Sequence, residues 1–176
     1  MYIKQTVEWI QSMVIGLNLC PFAKREMNNN TARVEASSAT VIDDALADFM
    51  MEVEYLQANP ETGTTVLIYP HILSDFFAYL DFVELANDLL VHAGYEGIYQ
   101  IATFHPDYCF QGVKTDDVTN YTNRSPYPML HLLREEMLDQ AISYYGDTDV
   151  IPENNMRCLR ELGLVEVKKR LEQCMK

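Results

Sequence analysis

Two short apolar runs, residues 64–69 and 98–104, constrain the fold most. Both are rich in β-branched and aromatic side chains, and the first closes on Pro70, so each reads as a strand. A full helix's length of chain separates them. Strands joined this way pair in parallel through right-handed crossovers, and runs apolar on both sides belong to a sheet covered on both faces.

The remaining elements fit around that sheet. Ile3, Val7, Ile10, Val14 and Leu17 recur at helical spacing over residues 2–18, and Pro21 stops a simple continuation. Residues 31–36 suggest a further strand. Ser38 or Thr40 can cap a helix carrying Ile42, Leu46, Phe49, Val53 and Leu56, which ends near Pro60 and Gly63. Ser74 or Asp75 starts the next helix, and Gly94 closes it. Pro126 and Pro128 introduce a fourth helix, with Leu130, Leu133, Met137, Ala141 and Ile142 inward. Pro152 begins a fifth, ended by Gly163, and a last helix runs to the C-terminus. The expected architecture is a single α/β domain over residues 1–176. It has a small, mainly parallel sheet covered by helices and a helical C-terminal third. A length of 176 residues suits one domain with its own core.

Composition excludes several functions. No stretch approaches the roughly 20 apolar residues of a membrane span, and residues 1–9 do not read as an export signal. A cytoplasmic protein is expected, with Cys20, Cys109, Cys158 and Cys174 reduced and no C-x-x-C pair for zinc or dithiol chemistry. The formal charge of −13 disfavours nucleic acid and anionic membranes as partners. No glycine-rich nucleotide loop, nucleophile elbow or paired-histidine zinc motif is present, so the cofactor stays open.

The candidate site lies in the segment 105–135. Ligands of parallel sheets sit beyond the carboxyl ends of strands, where His71 and His105 follow the two strong runs. Residues 105–125 form an unusually long loop, which in a compact domain is either functional or disordered. Tyr108, Phe110, Val113, Val118 and Tyr121 argue against disorder and for a packed lid or pocket wall, which also carries Asp107, Asp117 and Asn120. Arg124 and Ser125 precede the expected fourth helix, whose start could hold a carboxylate or phosphate. Ser125 as a simple helix cap and Arg124 in a surface ion pair are the alternatives. His131 and Glu135, four apart on that helix, could orient an imidazole as base or metal ligand, or form an ordinary surface pair. Cys20 before Pro21, near Lys24 and Arg25, could have a lowered thiol pKa and act as a nucleophile. Otherwise it packs as a small hydrophobe.

These blocks carry a resemblance. Residues 16–24 (Gly-Leu-Asn-Leu-Cys-Pro-Phe-Ala-Lys), 69–71 (Tyr-Pro-His), 104–108 (Phe-His-Pro-Asp-Tyr), 122–128 (Thr-Asn-Arg-Ser-Pro-Tyr-Pro) and 131–135 (His-Leu-Leu-Arg-Glu) resemble an uncharacterised bacterial family, domain of unknown function fourteen-fifteen. The resemblance implies a bacterial single-domain protein and brings no activity. It marks Cys20, Phe22, Lys24, His105, Tyr108, Asp117, Asn120, Arg124, Tyr127, His131, Arg134 and Glu135, whereas Cys109 stands where the pattern has Gln.

Three functions follow as expectations. The first is an enzyme acting on a small anionic molecule. Lys24, Tyr108, Asn120, Arg124, Ser125, Tyr127 and Arg134 would bind it, and His105, His131, Glu135 and Cys20 would serve catalysis. The second is a zinc or iron site built from His105, Asp107, His131 and Glu135, with His71 as a further ligand. The third is a non-catalytic interaction module that presents the aromatics of the loop.

Overall fold

The computed structural model describes residues 1–145 and 147–176. The chain begins with helix α1 (Tyr2–Trp9), which widens into a π-helical segment, Ile10–Ile15. It continues through α2 (Ala23–Asn28), β1 (Ala32–Ala36), α3 (Ile42–Ala58), β2 (Thr64–Ile68), α4 (Phe76–His92) and β3 (Tyr99–Phe104). A 3-10 turn, Val118–Thr122, precedes β4 (Met129–Arg134), α5 (Glu135–Tyr145), α6 (Val150–Leu162) and α7 (Leu164–Cys174). Among the described residues no helix is long and apolar enough to cross a membrane.

The sheet order is β1-β2-β4-β3. β1 and β2 are parallel, but β4 runs antiparallel to both β2 and β3 and separates them. The sheet is therefore mixed, not mainly parallel. The error lies at residues 129–134, expected to be the first turns of a helix. Leucine-rich sequence favours helix weakly, and tertiary pairing overrides that preference. Here β4 pairs along both edges. It buries Leu130 and Leu132 on one face and Met129 on the other, so both faces are apolar and no alternation is visible. Pro126 and Pro128 do not start a helix; each restrains the residue before it toward extended backbone.

Two cores follow from the two faces. On one, Leu67, Tyr69, Leu130 and Leu132 pack against Phe49, Val53 and Leu56 of α3 and Tyr79, Phe82 and Leu90 of α4. On the other, Val66, Ile68 and Met129 pack against Trp9, Ile10, Met13 and Val14, with Leu159 of α6 and Val167 of α7 beneath. Arg33 ties β1 to α3 through two bonds to the Glu52 carboxylate, 2.9 and 3.1 Å, and lies over the Tyr55 ring. Asp75 caps α4 by accepting from the Ala78 amide at 2.9 Å. Gly94 and Gly163 end their helices with φ of 80° and 78°, a conformation that suits glycine.

Candidate functional site

The strand identity of residues 129–134 decides where His131 points. Alternation along β4 puts His131 on the α1 face, paired with Val66 on one side and Ala102 on the other. His131 and Glu135 therefore do not share a helix face: one lies within the strand, and the other opens α5.

Above His131 is a cavity of about 200 Å³, roofed by α1, its π-helical extension, α2 and α5. Its walls are largely apolar, including Trp9, Phe22, Phe104, Met129, Met137 and Leu138. Five polar side chains stand at its wall: Cys20, Glu26, Thr64, His131 and Arg134. Ala102 is the small neighbour that leaves space over the imidazole. This volume exceeds the roughly 150 Å³ that holds a benzene molecule in an apolar cavity.

The hydrogen-bond network assigns the His131 tautomer. Thr64 Oγ1 has one hydrogen and donates it to the Leu132 carbonyl. Its 2.6 Å contact with His131 Nε2 is then donated by the ring, so Nε2 carries the proton. Nδ1 remains an acceptor with no partner among the described residues, on a ring that lines the cavity. Burial lowers the His131 pKa to about 4, so the imidazole is neutral at neutral pH.

The Glu26 carboxylate lies against Gly63 at the cavity wall. A Cβ there would lie 2.5 Å from Glu26 Oε2 and 3.1 Å from Met137 Cε. Thr31 Oγ1 donates to the same carboxylate oxygen. Cys20 lies in the wall, and burial raises its thiol pKa, partly opposed by the amides of Phe22 and Ala23. This direction favours the packed thiol over the activated one: Lys24 and Arg25 are exposed, and desolvation governs the sulfur.

The remaining candidates occupy other places. His105 is fully buried on the opposite face of the sheet, beside Phe76 and Tyr79. Its Nδ1 accepts from the Asp107 amide at 3.0 Å and its Nε2 donates to the Leu73 carbonyl at 2.9 Å, so both ring nitrogens are used. Burial lowers its pKa, against the raising effect of the Leu73 bond. His71 is exposed and stacks edge-on with Tyr2, whose ring also meets Tyr127. Tyr127 donates to Gln5, and Ser125 donates to the Tyr127 carbonyl at 2.7 Å, capping no helix.

Both expected anion-binding arginines hold backbone carbonyls. Arg134 binds those of Leu56, Asn59 and Thr62 around the end of α3. Arg124 binds those of Tyr108 and Thr115 and lies over the Tyr121 ring. The long loop is packed by such bonds. Asn120 accepts from the Phe110 amide and donates to the Lys114 carbonyl, and Asp117 caps the 3-10 turn. Its rings pack edge to face, Tyr108 against Phe110, and Tyr108 also lies tilted against Phe76 of α4. The set His105, Asp107, His131 and Glu135 does not converge. Among the described residues no three His, Cys, Asp or Glu side chains are grouped to hold a metal ion.

The family model described as "Protein of unknown function (DUF1415)" matches residues 1–169. The chain belongs to this family. The match spans every block of the resemblance, including Cys20, His131 and Arg134. No curated protein and no solved structure matches the chain. The family description carries no activity, so the chemistry rests on the cavity.

Sequence reasoning passed over Trp9, Glu26, Gly63, Thr64 and Ala102. Glu26 stands two residues beyond the Cys20–Lys24 block, a usable signal. Trp9, Gly63, Thr64 and Ala102 carry none, because only strand register and helix packing bring them to one cavity.

Proposed function

We propose that this protein binds a small molecule with a largely apolar body between the sheet and helices α1, α2 and α5, and that His131 orients it as a hydrogen-bond acceptor. The observation that carries the reading is one largely apolar cavity with a single oriented imidazole at its wall. Thr64 fixes one ring nitrogen, and the other is free. A neutral imidazole with one ring nitrogen unpaired at an apolar wall is a competent hydrogen-bond acceptor. Cys20, kept as a thiol by burial, contributes contact rather than nucleophilic attack at neutral pH.

The anionic-ligand reading draws less support. Arg124 is engaged by carbonyls in the loop, Arg134 at the cavity wall is held by carbonyls at the end of α3, Lys24 is exposed, and the wall also carries the Glu26 carboxylate. A reading of the 105–125 loop as an interaction surface is disfavoured by Tyr121, which is buried, and by the edge-to-face packing of Tyr108 and Phe110 against each other.

The test is an NMR titration with 2-phenylethanol, a neutral aromatic with one hydroxyl donor. Shifts confined to Trp9, Phe104, His131 and Met137, and lost in Ala141→Phe, are expected. Shifts restricted to the 105–125 loop, or none at saturating probe, would overturn the proposal.

A further inference from the structure

Resting on that reading, we infer that the ligand is an amine: its apolar body fills the cavity and its ammonium group meets the Glu26 carboxylate. Two polar side chains at the wall, His131 and Glu26, present acceptor atoms left without a partner among the described residues. His131 Nδ1 is bare because Nε2 is spent on Thr64. Glu26 Oε2 takes one hydrogen bond, from Thr31, and no hydrogen bond to Oε1 is formed among the described residues. No Lys or Arg forms an ion pair with Glu26 among them. Arg134, the cation in the wall, directs four of its five N–H donors to the carbonyls of Leu56, Asn59 and Thr62 and to Tyr99 Oη.

The walls select the same chemistry. A carboxylate beside apolar surface is costly unless a cation pairs with it, so an ammonium group entering the cavity gains where a carboxylate would be repelled. Trp9 and Phe104, packed edge to face at 5.4 Å, offer aromatic surface for a ring or short alkyl body. The formal charge of −13 concentrates cations near the surface and disfavours anions. Gly63 leaves room for this arrangement: a Cβ there would lie 2.5 Å from Glu26 Oε2, and the carboxylate would have to move.

Three probes of one shape separate the possibilities in calorimetric titrations of the full chain: 2-phenylethylamine, 2-phenylethanol and phenylacetate. The amine is expected to bind about tenfold or more tighter than the alcohol, the size of one charge-assisted hydrogen bond, and phenylacetate weakest. In Glu26→Gln, which preserves the shape and the bond from Thr31, the amine should lose about tenfold and the alcohol should change less than about twofold. Equal binding of amine and alcohol by the natural chain overturns the amine assignment and leaves the apolar pocket standing. Tightest binding by phenylacetate also overturns it. Failure of all three to bind removes the pocket reading with it. The comparison of probes on the unaltered chain holds even if the variant does not fold.

Discussion

Acidification should weaken this fold through His131, by an amount the structure sets. The folded imidazole titrates at about 4 and the unfolded one at its ordinary value of 6.5. The unfolded chain therefore binds the extra proton first, and stability falls as pH falls through that window. Above 6.5 the contribution is fully present; below about 4 the loss is complete. At about pH 5 the unfolded state is favoured roughly thirtyfold by this one site relative to neutral pH, which is about 2 kcal/mol. That is a large share of the roughly 5–15 kcal/mol that holds a domain together. His105, also lowered by burial, acts with the same sign. Asp117 and Glu166, depressed by hydrogen bonds from Thr119 and Arg170, add to the loss only in more acidic solution.

The assay is urea denaturation of the natural chain and of His131→Gln at several pH values and fixed ionic strength. Gln keeps a donor for Thr64 and does not titrate. The difference between the two stability curves isolates His131 from His105 and the carboxylates. It should shrink by about 2 kcal/mol between about pH 7.5 and about pH 5. A difference that stays flat, or an NMR titration placing His131 near the ordinary histidine value, would refute the argument that desolvation governs this ring.

Other expectations follow from individual contacts. Arg134→Met should cost about 2–4 kcal/mol in urea denaturation, because it strands the carbonyls of Leu56, Asn59 and Thr62 at the end of α3. An unchanged midpoint would show those bonds to be replaceable by water. Ala141→Leu should fill part of the cavity, raising stability by about 0.5–1 kcal/mol while abolishing binding of 2-phenylethanol. Arg124→Met should speed amide exchange across 105–122 without changing binding of that probe; loss of binding would return Arg124 to the site. Cys20 should react with an aromatic disulfide reagent far more slowly in the folded chain than in denaturant at neutral pH, since burial raises its pKa.

Much of the architecture was legible in residue pattern. The strands at 64–69 and 98–104, the helices over 42–58 and 76–92, and the stops at Gly94 and Gly163 all follow from local chemistry: β-branching, helical periodicity, capping and positive φ. The site was legible only in part. Cys20 and His131 stood out as residues, but the meeting of His131 with Thr64 was hidden by 67 positions of intervening chain. His105 looked equally chemical from its place after a strand, yet both its nitrogens are consumed in shaping the turn. Arginines before and within helix-like sequence looked like anion clamps, yet orphan carbonyls nearby claimed them.

The amino-acid sequence by itself determined the acidic charge, the membership of the family and most helices, because composition, motif and periodicity are local properties. Tertiary structure decided the course of β4. A leucine-rich segment bounded by prolines can be helix or strand, and the two open edges of β2 and β3 settle the matter by pairing with it. That single choice turned the sheet from mainly parallel to mixed. It also put His105 and His131 on opposite faces, and so moved the candidate site from the carboxyl ends of the strands to the cavity under α1. Side-chain direction alternates with every residue of a strand, so no property of His131 alone could tell which face it would occupy.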